Sequence, residues 1–531
     1  MTPGPFHPPA TNLVFDVQRP MKRTVTSWGV TELEWFVYSG YEFTTVGLTR
    51  SCGIYLCPMD IPVSEKEQFI FDKIAEAAQA LDYPCYLVGG FVRDKLMGRS
   101  TKDADFVCAG DALKLAEKAA AYFKPAPRVN YFKNFGTAHF KMADGFDLEF
   151  VGARKESYRS HSRNPEVVPG TIEDDQNRRD FTINTLAVSL NKEDFGKLVD
   201  PFGGADDIRQ QLIRTPLEPD KTFSDDPLRM MRAIRFAAQL DFRIYPETLR
   251  SISENAGRIR IVSRERITDE LNKIILSDKP SVGFKILFDS GLLQEIFPQM
   301  VDLAGAEYVD GLGHKDNFYH TLKVLDNVAE RSSYLWLRWS AILHDIGKPA
   351  TKKFEDGHGW TFHGHEVVGG RMVPRIFNQL KLPLGEEMKY VRKLVELHLR
   401  PISLTRENIT DSAIRRLLFD AGEHFDDLMI LCQSDITSKN KLKVKRFLSN
   451  FEMVKQRCRE VEEKDHIRNW QPPVTGEVIM ATFGIPPSKN VGIIKDAIKD
   501  AILDGVILND YDSAYKFMLE KGKECGLTPL N

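Results

Sequence analysis

The stretch from Tyr86 to Val107, YLVGGFVRDKLMGRSTKDADFV, constrains the chain more than any other. A short apolar run ends on Gly89-Gly90, a helix-like segment follows, and a second apolar run contains Asp103-Ala104-Asp105. Residues two apart in a strand share a face, so Asp103 and Asp105 present two carboxylates side by side. Like charges held that close require a cation. Paired hard oxygen ligands on a rigid strand suit Mg²⁺, which takes the rest of its shell from water and substrate phosphates. Glycines at a strand-to-helix turn let backbone N–H groups approach a phosphate. The two features together point to a nucleoside triphosphate held over a metal pair.

The 531 residues suffice for three or four domains. A formal net charge of −3 excludes neither RNA nor protein partners, so RNA binding has to rest on local basic clusters. The seven cysteines, Cys52, Cys57, Cys85, Cys108, Cys432, Cys458 and Cys525, form no CxxC pair. That usage fits a reducing compartment, and a cytoplasmic location is expected. No apolar run approaches the roughly 20 residues of a membrane span. The start lacks a basic segment followed by an apolar one, so no secretory signal is expected.

Residues 1–58 carry proline-rich patches without periodicity and receive no assignment. Helical spacing begins after Met59, which raises Met59 as an alternative initiator. From Phe132 to Val151 the pattern alternates, reading as two strands joined at Ala143-Asp144-Gly145, with Asp147 and Glu149 on one face. Either acid could be a third carboxylate of the metal site. Residues 153–170 are polar, basic and broken by proline, and are expected to form a mobile loop. In Arg178-Arg179-Asp180-Phe181-Thr182-Ile183-Asn184 the guanidiniums can clamp phosphates, while Asp180 and Asn184 can bond ribose hydroxyls.

From about Asp206 the pattern is helical throughout. Asp225-Asp226-Pro227 reads as a helix start. Asp226 and Arg229, three apart, can present acceptors and donors to a base edge or form a local ion pair. Arg229, Arg232 and Arg235 continue a basic stripe, and Arg264 and Arg266 stand near a later helix start, suited to support of the neck or to phosphate contact. Seven of the twelve histidines lie between His314 and His398. His320, His344-Asp345 and Asp435, with His365 and His398 between, form a mixed N/O set suited to Mn²⁺, Fe²⁺, Ni²⁺, Co²⁺ or Zn²⁺. Such a metal can activate water to cleave phosphate esters.

The combination GGFVRDxLxG followed by KDADFV resembles the polymerase-β-like nucleotidyltransferases, specifically the bacterial CCA-adding enzyme and poly(A) polymerase family, from Met59 to the C-terminus. RRDFTIN matches that family's motif residue for residue. An acidic residue five before an arginine resembles the family strand and favours Glu149, before Arg154, over Asp147. Asp225-Asp226-x-x-Arg229 stands where the family usually has Glu-Asp-x-x-Arg and selects CTP and ATP. SRERITDELNKIIL resembles its last motif, and the order H…HD…D resembles HD-domain metal phosphohydrolases. The stretch from about Trp470 resembles the tail of many CCA-adding enzymes, where the PSKNVG turn and Lys489 could meet an RNA phosphate or simply form a packed hairpin.

The resemblance implies an α+β fold: a polymerase-β-like nucleotidyltransferase head (59–205), a helical neck that selects the base and binds RNA (206–300), an HD domain (301–450) and a helical tail (451–531). It implies addition of CCA to tRNA from CTP and ATP by two-metal transfer. Asp103, Asp105 and Glu149 would be catalytic, with Asp103 and Asp105 on Mg²⁺. The nucleotide would be bound by Gly89, Gly90, Arg93, Asp94, Arg178, Arg179, Asp180, Asn184, Asp226, Arg229 and Arg232. His320, His344, Asp345 and Asp435 would ligate one HD metal, and His365 and His398 could complete a second. A poly(A) polymerase, a CC- or A-adding enzyme, and an HD phosphohydrolase carrying an RNA-binding module are the alternatives. Whether the HD site is active, and the oligomeric state, stay open.

Overall fold

The computed structural model describes residues 59–157, 166–309, 312–313, 316–404, 410–437, 440–465, 467–468 and 470–530. The expectations for residues 1–58, and for the centre of the 153–170 loop, lie outside them.

The first helix, Glu65–Ala80, starts where Ser64 and Glu67 cap each other's backbone amides. It buries Ile70, Phe71, Ile74, Ala77 and Ala78. Seven strands then build one sheet: β1 (Cys85–Val88), β2 (Asp103–Cys108), β3 (Asn130–Phe132), β4 (Thr137–Lys141), β5 (Asp147–Gly152), β8 (Ala187–Ser189) and β9 (Leu198–Val199), with Arg154–Ser157 and Glu166–Pro169 as β6 and β7 of a separate hairpin. The sheet order is β3-β4-β5-β2-β1-β8-β9, and β2 with β5 is its parallel pair. Strand alternation decides the rest. Ala104, Phe106, Ala138, Phe140, Leu148 and Phe150 are buried on one face, where Phe106, Phe140 and Phe150 stack at 5.1 and 5.3 Å. The acidic residues of β2 and β5 are thereby left on the other.

The hairpin β6–β7 corrects the expectation of a polar loop at 153–170. Its flanks pair from Arg154↔Pro169 to Ser157↔Glu166. The region after Asp206 is not helical throughout either. Leu212–Ile213 pairs in parallel with Arg243–Ile244, and Lys353–Glu355 pairs with Gly359–Thr361. Asp225 ends a helix, Pro219–Asp225, instead of opening one; the backbone turns extended at Asp226 and the next helix runs Leu228–Leu240.

Helices Asn317–Ala329, Leu335–Leu343, His365–Gln379, Glu386–Leu397 and Phe425–Asp435 follow. One buried apolar core joins the sheet, the neck and these helices. The helix Lys441–Asp465 runs through position 450, and a second core, including Val474, Phe483, Ile498 and Met518, holds the last three helices together.

Candidate functional site

β2 and β5 lie in register Asp103↔Asp147 and Asp105↔Glu149, so four carboxylates share the open face. β4 places Lys141 opposite Asp147 and His139 opposite Glu149. Asp147 is partnered there, with His139 Nδ1 at 3.1 Å and Lys141 Nζ at 3.2 Å. Asp105 is pushed up to about 6, by burial first and then by Glu149, Asp103 and Asp147, against the pull of Arg179. Glu149 is raised by partial burial and by Asp147 and Asp103, against His139. Mutual repulsion among fixed oxygens is what a bound divalent cation relieves, so this donor set fits one.

β1 leads into the helix Gly90–Leu96 through Gly89 at φ +72°, ψ −130°, a conformation that excludes a side chain. A Cβ on Gly89 would stand 2.8 Å from Arg179 Nη1 and 3.9 Å from Asp105 Oδ2. Gly89, Arg179 and Asp105 therefore meet at one point. The Gly89 amide itself donates to the Leu186 carbonyl at 3.0 Å.

Sequence reasoning missed Asp175, which is fully buried on the helix Ile172–Asn177. It accepts from Arg179 Nε at 2.8 Å and Arg178 Nε at 2.9 Å, which fixes both guanidiniums. Its place three and four residues before the pair was the available signal. His139 and Lys348 went unassigned as well.

The remaining residues expected at the nucleotide bond largely to one another. Arg93 bonds Asp94 and donates to Asn184 Oδ1 at 2.8 Å; Asn184 donates to Asp180 at 2.9 Å; Arg232 reaches Asp180 Oδ2 at 2.6 Å. Arg229 donates to the Arg178 carbonyl at 2.5 Å. Asp226 accepts from the Leu228 amide at 3.1 Å, at the first residue of the new helix, and lies 3.6 Å from Arg266. Arg235 pairs with Glu270, and Arg264 donates towards the Glu295 and Ile296 carbonyls, so the basic stripe is largely spent within the protein.

The second constellation is assembled from helix ends. His344 follows Leu335–Leu343, His365 opens its helix, His398 follows Glu386–Leu397, and Asp435 closes Phe425–Asp435. His320 sits one turn inside the helix Asn317–Ala329, which Asp316 caps at Tyr319 N. His344, His365 and His398 each turn Nδ1 to a backbone carbonyl at 2.7–2.8 Å. A carbonyl only accepts, so Nδ1 carries the proton and the Nε2 lone pairs point inward. The three buried Nε2 atoms have no hydrogen-bond donor among the described residues. Asp345 turns Oδ2 to His320 and His344 (3.5 and 3.2 Å) and Oδ1 to His365 and His398 (3.2 and 3.9 Å). Asp435 Oδ1 lies 2.9 Å from His320 Nε2, and Lys348 Nζ 2.6 Å from Asp345 Oδ2. Burial lowers His344, but Asp345 and Asp435 win and hold it above the ordinary range, whereas burial and His344 push His398 down to about 4. Buried imidazole Nε2 atoms facing carboxylate oxygens are a donor set that fits a bound metal cation.

No helix among the described residues is long and apolar enough to cross a membrane. Family models match here in order: the poly(A) polymerase head domain over 85–214, the probable RNA and SrmB binding site of polymerase A over 241–303, and the HD domain over 317–426. An A-adding tRNA nucleotidyltransferase of Deinococcus radiodurans is 30% identical over 78% of this chain and 90% of its own length. A multifunctional CCA protein of Pseudomonas fluorescens is 31% identical over 66% of this chain and 84% of its own. An Aquifex aeolicus A-adding enzyme is 32% identical, but the chain spans only 37% of that relative's length. In fold, the chain is similar to the Bacillus stearothermophilus CCA-adding enzyme in complex with CTP (TM-score 0.59, 23% identity, 87% of this chain and 99% of that one). It is likewise similar to the Thermotoga maritima CCA-adding enzyme complexed with tRNA (0.54, 22%, 87% and 96%). With a poly(A)-polymerase-type head, an HD domain and this identity to a relative matched over nearly its whole length, the chain belongs to the CCA-adding enzyme and poly(A) polymerase family of nucleotidyltransferases.

Proposed function

We propose that the chain is a tRNA nucleotidyltransferase that adds CCA, passing nucleotidyl groups from CTP and ATP to the 3′-hydroxyl of tRNA with release of pyrophosphate. The observation that carries this reading is the register of β2 and β5, which gathers Asp103, Asp105 and Glu149 beside Gly89 and Arg179. Asp103 and Asp105 would hold Mg²⁺. Glu149 is the third carboxylate, since Asp147 already has the Lys141 ammonium and the His139 ring as partners. The bound ion supplies Lewis-acid stabilisation of the charge that develops on the phosphoryl oxygens.

The chain's own groups do the positioning. Arg178 and Arg179, held by Asp175, are fixed cations at the triphosphate, and Gly89 and Gly90 leave room for it. Asp180 and Asn184, braced by Arg232 and by Arg93 with Asp94, face the ribose as preorganised partners. Asp226 and Arg229 read the base edge, anchored by the Leu228 amide and the Arg178 carbonyl. We keep the division into head, neck, HD domain and tail at 59–205, 206–300, 301–450 and 451–531, and a cytoplasmic location, in keeping with the free thiols Cys85, Cys108, Cys432, Cys458 and Cys525.

The deciding experiment offers tRNA trimmed of its last three nucleotides, with CTP and ATP separately and together, and sequences the products. CCA ends are expected. A single added A would instead place the chain with the A-adding relatives, long A tracts with poly(A) polymerases, and an unextended RNA would end the reading. Asp105→Ala should lower addition by roughly three orders of magnitude or more, with the circular dichroism spectrum unchanged; addition at near-native rate by this variant would overturn the site.

Hydrolysis of a phosphate ester at the HD site is a second activity, favoured by the three buried Nε2 lone pairs around Asp345. His320, His344, Asp345 and Asp435 would hold one transition metal, Mn²⁺, Fe²⁺, Ni²⁺, Co²⁺ or Zn²⁺, with His365 and His398 completing a second. Were hydrolysis the only activity found, the head would be an RNA-binding module.

A further inference from the structure

Two substrates must converge on the carboxylates of β2 and β5, and an in-line displacement brings the nucleophile and the leaving group in from opposite sides. The sheet provides two sides. Next to β2 lies β1 with Gly89 and Arg179, the triphosphate side. Next to β5 lie β4 and β3, and the strand registers continue the carboxylate row across them as Asp105, Glu149, His139, Asn130.

On that outer side Phe132, at the end of β3, is 49% exposed. It lies nearly flat on the His139 ring, with centroids 5.5 Å apart and planes 19° apart. It shares the open face with Glu149, whereas its neighbour Tyr131 pairs with the buried Ala138 and points to the other. Lys133, the next residue in the chain, is exposed as well. An uncovered aromatic ring, backed by a second flat ring and followed by an exposed lysine, has the composition of a base-stacking platform for single-stranded nucleic acid.

We propose that Phe132, backed by His139, is the shelf on which the 3′-terminal base of the RNA primer stacks, so that its 3′-hydroxyl is aimed at Glu149 and Asp105. The assignment rests on the proposed function for the identity of the reaction, but it has its own readout. The occupant is the primer base and not the incoming nucleotide's, because the shelf lies across the carboxylates from Gly89 and Arg179.

The test compares unaltered protein with Phe132→Ala, Phe132→Tyr and Tyr131→Ala. It measures nucleotide addition to trimmed tRNA at varied RNA and varied CTP, and RNA affinity by fluorescence anisotropy. Phe132→Ala should raise the KM for RNA by roughly ten- to a hundred-fold, the scale of one lost base–aromatic stack. The KM for CTP should stay unchanged. Phe132→Tyr should restore the RNA value, and Tyr131→Ala, on the opposite face of the same strand, should match unaltered protein. An unchanged RNA KM in Phe132→Ala, or an equal rise in the KM for CTP, overturns the shelf. If unaltered protein adds no nucleotide, the proposed function falls. The shelf is then judged by the anisotropy arm alone, where weaker RNA binding by Phe132→Ala upholds it and equal binding overturns it.

Discussion

Asp180 is almost completely enclosed and yet ionised. Burial alone would raise its pKa, but the Arg232 guanidinium, the Asn184 amide and Arg229 hold it down at about 2. Its folded pKa therefore lies below the unfolded value of about 3.9. A carboxylate shifted in that direction contributes stability that is fully present above the unfolded pKa and is lost as pH falls through the folded one. Asp180→Asn should therefore cost on the order of 2 kcal/mol near neutral pH, and the difference should shrink between about pH 4 and pH 2. Melting temperatures of the two proteins across that range check it; curves that stay parallel down to the lowest pH would refute the assigned ion pair. Asp105 shows the opposite sign: burial raises it most, and its nearest charges, mainly other carboxylates, raise it further against the pull of Arg179. Both acids stand in motifs that the sequence displays. The sign of each shift was not legible, because Arg232 reaches Asp180 from 52 residues away and Glu149 lies on another strand.

At the scale of elements, period-two alternation made β2, β4 and β5 readable, since one face of each had to be apolar. The break at Asp226 was not readable, because a helix that stops and restarts around Pro227 has the same composition as one that starts there. The hairpin β6–β7 was hidden because neither Arg154–Ser157 nor Glu166–Pro169 alternates apolar with polar residues. Arg338 is a further case: it sits within an apolar helix, Leu335–Leu343, and is buried. Its guanidinium donates to the carbonyls of Ile275 and Ser277, each at 2.8 Å, Ser332 at 2.9 Å and Ala329 at 3.2 Å. These are the ends of the helices Arg264–Ile275 and Asn317–Ala329, whose last carbonyls lack partners within their own helices. One side chain thus fastens the neck to the histidine-bearing helices. Arg338→Met keeps the bulk and strands those carbonyls, which should cost about 2–4 kcal/mol. Thermal denaturation should show the loss, while the rate of nucleotide addition well below the melting temperature stays near that of unaltered protein. An unshifted melting temperature would mean the junction does not depend on this side chain.

At the scale of the molecule, one apolar core connects two centres built on different chemistry: hard oxygens on a sheet in the head, and imidazoles with carboxylates at helix ends beyond the neck. The second centre has an internal division. The groups His320, His344, Asp345 and Asp345, His365, His398 each bring their ligand atoms within 4.8 Å of one another, and they share only Asp345. Because its two oxygens face different imidazole pairs, Asp345 is the one residue whose loss weakens both groups. Asp345→Asn, of nearly equal size, should leave the purified protein without bound transition metal. His398→Ala should remove one group and leave His320, His344, Asp345 and Asp435 to hold an ion. Metal analysis of the three proteins by mass spectrometry reads this directly; full metal content in Asp345→Asn would show that the carboxylate is not a shared ligand. The same variants should add nucleotides to trimmed tRNA in Mg²⁺ as well as unaltered protein does, since none of the altered residues belongs to the β2–β5 carboxylate set. Loss of addition in parallel with loss of the transition metal would instead make the two centres one functional unit.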